Sequence, residues 1–202
     1  PKPRYYQEAA INRAGIAVLQ AKRNLRKPRI LLTLATGTGK TKVAFQLLWK
    51  LKRSRAIHNV LFITDRDYLL SQAMDNEFAP FGDARARVLG ESVTSRDIVF
   101  ATYQSLADSE MYAGLYHDYP RNFFDVIIVD ECHRGSATAD SVWRDILEYF
   151  ESAIQVGLTA TPLSTDLVQT DEYFGTSLYT YSLRTGINDG FLAPYRVRRI
   201  QM

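Results

Sequence analysis

Apolar and polar positions in this chain alternate in blocks rather than residue by residue. Short continuous apolar runs stand at Ile30-Leu31-Leu32, Val60-Leu61-Phe62-Ile63, Ile98-Val99-Phe100-Ala101, Val126-Ile127-Ile128-Val129 and Ala153 to Leu158, with a weaker run at Ala86 to Leu89. Between them the spacing becomes helical. Residues 4–25 bring Ala9, Ile11, Ala14, Ala17, Val18 and Ala21 toward one face, and Val43 to Leu51 is amphipathic. A further helix begins near Arg66, a short one follows Tyr103, and Ser141 to Phe150 places Trp143, Ile146, Leu147 and Phe150 on one side. Continuous apolar strands separated by helices predict an α/β domain whose mainly parallel sheet is covered on both faces, a three-layer α/β/α arrangement. Lys22-Arg23-Asn24-Leu25-Arg26-Lys27-Pro28 closes the first helix, and a solvated helix end is the plainer account of that basic cluster. Residues 108–123 hold Met111, Tyr112, Tyr116, His117, Tyr119 and Pro120 without a clean period, and read as a surface excursion with His117 a surface histidine.

Ligands of parallel sheets sit at the carboxyl ends of the strands. Polar or glycine-containing clusters fall at five such ends: 36–41, 64–66, 102–104, 130–133 and 159–162. The first is the most informative. Thr33-Leu34-Ala35-Thr36-Gly37-Thr38-Gly39-Lys40-Thr41 runs from a strand through a glycine turn into a helix. Gly37 and Gly39 let backbone approach an anion where a Cβ would intrude. The free N–H groups and the dipole of the helix start favour negative charge. Lys40 suits β- and γ-phosphates and the Thr41 hydroxyl suits Mg²⁺, so the stretch from Thr36 to Thr41, Thr38 included, reads as a triphosphate cradle. The strict pattern has glycine at position 34, where this chain has Leu34.

Asp130-Glu131-Cys132-His133 follows the most apolar strand. Adjacent carboxylates near a triphosphate divide the work: we assign Asp130 to the metal, through water, and Glu131 to the attacking water as general base. The plain alternative is a solvated acidic turn. A zinc site is disfavoured, because Cys132 is the only cysteine and the other histidines are His58 and His117. Gly157-Leu158-Thr159-Ala160-Thr161-Pro162 carries two hydroxyls one residue apart, placed to bond the acidic pair and sense the γ-phosphate, or simply a strand end with a proline stop.

Bulk properties change this picture little. The chain has 202 residues, 46% hydrophobic and 23% charged, which is enough for one sizeable core. A net charge of +3 hints weakly at a polyanionic partner. One cysteine excludes an internal disulfide, in keeping with a reducing compartment. No apolar run approaches the roughly 18 residues of a membrane span, and the opening Pro-Lys-Pro-Arg stretch carries no signal-peptide h-region. There is no initiator Met, and the chain stops after an apparent strand, so it is expected to be a piece of a longer polypeptide.

Taken together, Gly37-Thr38-Gly39-Lys40-Thr41, Asp130-Glu131-Cys132-His133 and Thr159-Ala160-Thr161-Pro162 resemble motifs I, II and III of superfamily 2 helicases and translocases, in order and spacing. Arg4-Tyr5-Tyr6-Gln7 resembles the upstream glutamine motif, which implies adenine reading by Gln7 with Arg4 beside it. Asp65 to Gln72 resembles motif Ia, and Ala101-Thr102-Tyr103-Gln104-Ser105 the nucleic-acid motif that follows. The resemblance implies DNA-backbone contacts by Arg66, Thr102 and Tyr103, with pairing of Arg66 to Asp130 or a neighbouring acid as the alternative. It also implies coupling roles for His133, Thr159 and Thr161.

The stretches from Asp130 to Gly135, Trp143 to Phe150, Gly157 to Pro162, Tyr179 to Leu183 and Asp189 to Tyr195 are similar to the restriction (motor-nuclease) subunit of type I restriction-modification enzymes. That resemblance implies a RecA-like P-loop NTPase fold: a first motor domain over residues 1–182 and a connector over 183–202 toward a second RecA-like domain. It implies ATP and Mg²⁺ as cofactors, double-stranded DNA as the track and a cytoplasmic setting. Partners would be the nuclease domain of the same polypeptide and the methylation and specificity subunits. The family's acidic-acidic-lysine nuclease cluster has no counterpart here, so cleavage is expected elsewhere. An arginine finger from the second domain is worth about 10³–10⁵ in turnover, so the isolated fragment is expected to bind nucleotide and hydrolyse it very slowly. A helicase or remodeller acting on RNA or repair intermediates would use the same motifs. A non-hydrolysing module is disfavoured by Lys40, Asp130 and Glu131, and a GTPase or small-molecule kinase by the absence of an Asn-Lys-x-Asp motif.

Overall fold

A computed structural model describes residues 2–24, 29–108, 113–132, 137–160 and 172–194, with the backbone alone for 137–142. Seven strands form one sheet: β1 (Arg29–Leu34), β2 (Val60–Thr64), β3 (Arg85–Arg87), β4 (Ile98–Thr102), β5 (Val126–Asp130), β6 (Ile154–Thr159) and β7 (Tyr179–Tyr181). Their spatial order is β3-β4-β2-β5-β6-β1-β7, and every described pairing is parallel. The helices are α1 (Tyr5–Arg23), α2 (Lys40–Arg53), α3 (Asp67–Gln72), α4 (Tyr103–Leu106), α5 (Ala137–Tyr149) and α6 (Leu183–Asn188). The expected three-layer architecture is therefore present.

The layers follow from strand alternation. Ile30, Leu32, Val60, Phe62, Ile98, Phe100, Val126 and Ile128 face one core with α1 and α2. Their neighbours Leu31, Leu61, Ile63, Val99, Ala101, Ile127 and Val129 face a second core with α5. Burial on both faces explains why these strands read as unbroken apolar runs. In the second core Trp143, Ile146, Leu147 and Phe150 all point inward, as their spacing predicts, although α5 starts four residues earlier than expected. Truncating a side chain such as Phe100 to alanine would cost about 3–5 kcal/mol.

Two expectations need correcting. Residues 113–123 are more than a surface excursion. Tyr116 and Tyr119 are buried against Tyr149, Phe150 and Phe124, and the Tyr116 hydroxyl donates to Asp108 at 2.9 Å. His117 does stay at the surface, 3.4 Å from Asp108, and Met111 and Tyr112 lie outside the described residues. Nor is the end of α1 merely solvated. Lys22 donates to the Asp125 carboxylate and to the Ala56 carbonyl, both at 2.7 Å, pinning α1 to the start of β5, while Leu25 to Pro28 lie outside the described residues.

Candidate active site

The strand order makes the site. β6 lies between β1 and β5, so the turn after β1 and the acidic turn after β5 flank the end of β6, where Thr159 stands level with Thr33.

The turn after β1 is held by unusual backbone. Gly37 and Gly39 have φ of 82° and 80°, the region that glycine enters without strain, and Gly39 caps α2 in that conformation. Protein neighbours also come close at both positions. A Cβ on Gly39 would sit 2.8 Å from the Gln7 amide nitrogen, and one on Gly37 3.4 Å from Leu192. Thr36, Gly37 and Gly39 are exposed, which presents the turn to an incoming anion, whereas Thr38 is buried with its hydroxyl donating to the Ala35 carbonyl. Leu34 is still a strand residue, level with Tyr181 and fully buried, so the position where the strict pattern has glycine belongs here to the core.

Lys40 opens α2, and its Nζ lies 3.1 Å from Oε1 of Glu131. The neighbouring Thr41 side chain favours the charged form of Asp130, against the larger effect of burial. Burial, reinforced by the adjacent Glu131 charge, pushes the Asp130 carboxyl up to about 6. Glu131 adopts φ of 55°, left-handed for a residue with a Cβ, a conformation that costs about 1–3 kcal/mol and gathers at functional sites. The next residue, Cys132, donates its backbone N–H to Leu158 of β6 at 3.1 Å, which fastens the acidic turn to the middle strand. Burial pushes the Cys132 thiol up, so it is no nucleophile. Thr159 is buried with its hydroxyl on the Ala160 carbonyl at 3.0 Å, and His133 and Thr161 lie outside the described residues.

These groups fit a magnesium-bound triphosphate. Thr41, second residue of α2, and Asp130, last residue of β5, offer hard oxygens, the donors Mg²⁺ takes. Lys40 and the exposed turn supply positive charge and N–H donors, and Glu131 supplies a carboxylate beside them.

The α1 side differs from expectation. Gln7 is buried, and both ends of its amide serve protein groups: Nε2 donates to the Thr38 carbonyl at 2.8 Å and Oε1 accepts from the Arg4 backbone at 2.9 Å. It thereby ties α1 to the phosphate turn, and each end keeps capacity for one more bond. The Arg4 guanidinium lies 4.8 Å from the Phe191 ring centre and donates to the Tyr6 hydroxyl at 3.2 Å. Sequence reasoning missed Tyr6, whose hydroxyl also donates to the Thr38 carbonyl at 3.1 Å.

Along the same edge, Arg66 is 65% exposed and lies 3.5 Å from Asp65, so of its expected acidic partners it meets the neighbour and not Asp130. Thr102 is the N-cap of α4 and accepts from the Ser105 backbone N–H at 3.2 Å. Tyr103 corrects an expectation: its side chain is 5% exposed and packs into the second core, so it is not offered at the edge as a DNA contact.

Comparison with known proteins places the chain in a family. The family model described as type III restriction enzyme, res subunit, matches residues 1–164. The chain is 47% identical over 201 residues to the type I restriction enzyme EcoAI endonuclease subunit of Escherichia coli, covering 99% of this chain and 24% of that protein. It is 32% identical over 214 residues to the EcoKI endonuclease subunit of Escherichia coli strain K12, covering 94% of this chain and 17% of that protein. It thus spans a quarter or less of these relatives. In structure it is similar to a nuclease-deletion mutant of the type ISP restriction-modification enzyme LlaGI in complex with a DNA substrate mimic, with a TM-score of 0.67 at 19% identity over 95% of this chain and 21% of that one. With a RecA-like fold, motifs I to III in helicase order and the family match over four-fifths of its length, the chain belongs to the type III restriction enzyme res subunit family of superfamily 2 helicases and translocases.

Proposed function

We propose that this chain is the ATP-binding motor domain of an ATP-dependent double-stranded DNA translocase, the endonuclease (R) subunit of a type I restriction enzyme, with DNA cleavage carried by another domain. One observation carries the reading: the lysine of the phosphate turn meets Glu131 across β6, at 3.1 Å, beside the buried Asp130. The turn from Thr36 to Gly39 receives the phosphates on its N–H groups, and Lys40 takes the β- and γ-phosphate charge. Mg²⁺, held by Thr41 and Asp130, would supply charge neutralisation on the phosphates. Glu131 accepts the proton of the attacking water. Gln7 and Arg4 border the turn on the side where the base lies, and Thr159 stands between the two halves of the site. His133 and Thr161 complete the coupling set. Arg66, the exposed cation of the edge, meets the DNA backbone, with Thr102 at the neighbouring strand end.

Identity to the EcoAI and EcoKI endonuclease subunits, and likeness to an enzyme whose structure holds a DNA substrate mimic, support duplex DNA as the track. On this reading residues 183–202 lead toward a second RecA-like domain. The partners are that domain, a nuclease domain, and the methylation and specificity subunits, in the cytoplasm. No described helix is long and apolar enough to cross a membrane.

The test is ATP turnover by the intact parent polypeptide with its natural partners, comparing no nucleic acid, duplex DNA with and without a recognition site, single-stranded DNA and RNA. Stimulation confined to duplex DNA carrying the site is expected. Stimulation by single strands or RNA would overturn the restriction-motor reading in favour of another helicase. Fast nucleic-acid-stimulated turnover by residues 1–202 alone would contradict the need for a second motor domain.

A further inference from the structure

The segment from Ser182 to Leu192 has no role in the chemistry above, yet it is built against the phosphate turn. It leaves β7, forms α6 and turns back at Asp189-Gly190 so that Phe191 and Leu192 both donate backbone N–H groups to the Gly186 carbonyl at 2.9 Å. A Cβ on Gly186 would come within 2.6 Å of Leu192, so the fold-back is tight.

A chain of contacts then leads toward the turn. Asp189 accepts from the hydroxyls of Tyr5 and Tyr181, the latter at 2.7 Å, which fixes the segment to α1 and β7 together. Tyr181 stacks on Tyr6 with ring centres 4.0 Å apart and planes 9° apart, and the Tyr6 hydroxyl holds the Thr38 carbonyl. Phe191 packs on Tyr6 at 5.3 Å, and Leu192 Cδ2 would stand 3.4 Å from a Cβ placed on Gly37, so its side chain borders that face of the turn. The segment thus borders the turn at Gly37 and is linked to Thr38 through Tyr6.

We propose that Asp189, Phe191 and Leu192 form a strap that positions the phosphate turn, setting nucleotide affinity through Gly37 and Thr38 without touching the nucleotide base. This inference rests on the nucleotide reading of the site. A turn with two left-handed glycines and exposed residues at 36, 37 and 39 has several conformations open to it, and holding it in one removes an ordering cost from binding. Phe191 is 37% exposed, so its truncation opens no core cavity.

The experiment is calorimetric titration of the full chain with ATP and, separately, inorganic tripolyphosphate, both with Mg²⁺. Phe191→Ala combined with Leu192→Ala should weaken both ligands alike by about five- to tenfold. Its thermal midpoint should stay within about 2 °C of the wild type. Asp189→Asn should act in the same direction and Phe191→Tyr should restore affinity. Lys40→Ala serves as the reference for loss of the phosphate site. If the strap variants bind as the wild type does while Lys40→Ala fails to bind, the strap inference is overturned and the nucleotide reading stands. Loss confined to ATP, with tripolyphosphate spared, would make the strap a base contact and overturn it too, as would a loss that merely tracks a fall in midpoint. If the wild type binds neither ligand and Lys40→Ala is indistinguishable from it, the nucleotide reading itself fails and the strap's role falls with it.

Discussion

The ammonium of Lys40 stands 3.1 Å from a carboxylate oxygen of Glu131, with the two side chains only 8% and 15% exposed. Charges so poorly hydrated depend on each other, and removing one partner strands the other at a cost that surface pairs never show. The lysine that greets the phosphates and the acid that serves the water are therefore one electrostatic unit before any nucleotide arrives.

That unit can be taken apart from either side. In the intact enzyme, Lys40→Ala should weaken Mg-ATP binding or abolish turnover while the circular dichroism spectrum persists. Glu131→Gln should keep binding and lower turnover by about 10²–10⁴. Unchanged turnover in the first variant would remove Lys40 from the site, and retained hydrolysis in the second would point to another base.

Asp130 is held at a cost to the fold. Its carboxyl is pushed up to about 6 from 3.8, first by burial and then by Glu131, so the folded state disfavours the charge it carries at pH 7. Asp130→Asn should stabilise the nucleotide-free protein at pH 7 by roughly 1–3 kcal/mol. The advantage should shrink as pH falls from about 6 toward 4, where the folded wild type takes up its proton. Urea unfolding of both proteins in chelator across that range checks the sign, and a destabilised variant at pH 7 would refute it.

Asp125 should show the opposite dependence. Burial alone would raise its carboxyl, but the Lys22 ammonium at 2.7 Å and the backbone N–H groups of His58 and Asn59 outweigh it and hold it below the usual carboxylate range. Its contribution is present above the ordinary carboxylate pKa of about 4 and is lost as pH falls through its own lowered value. Asp125→Asn should cost about 1 kcal/mol at pH 7, a modest figure because Lys22 is partly exposed. The gap between wild-type and variant urea midpoints should close on acidification.

Cys132 offers a probe of the acidic turn. It is the chain's one thiol, buried beside Glu131 and raised above its ordinary pKa by that burial. Modification by an aromatic disulfide reagent should run more than about a hundredfold slower in the native protein than in urea, because it requires local opening. Mg-ATP should slow it further. Labelling at the unfolded rate would mean that the turn after β5 is open in solution.

Much of this was legible in the sequence, for a physical reason. Strands covered on both faces must be apolar at every position, so the runs at 60–63, 98–101 and 126–129 marked β2, β4 and β5 almost residue for residue. The phosphate turn and the acidic pair stood out because glycine, lysine and carboxylates are out of place at the ends of such strands. The rest depends on what the chain meets at a distance. β7 has three residues of differing exposure, too few to show a period. Tyr116 and Tyr119 bury rings while their hydroxyls find partners, so their stretch has polar character and a core role together. That Gly39 adjoins Gln7, Gly37 adjoins Leu192 and Asp189 joins Tyr5 to Tyr181 are contacts between distant segments, which no local spacing reveals.

The position of β6 between β1 and β5 has one more consequence. Two interstrand steps separate the turns on either side of it, about 10 Å of backbone spacing. A cation and an anion that must meet over an intervening strand need reach as well as charge, and lysine and glutamate are long side chains. The middle strand thus works as a gauge block. Glu131→Asp would keep every charge of the site yet fall one methylene short across the gap, which makes side-chain length a requirement here separate from acidity.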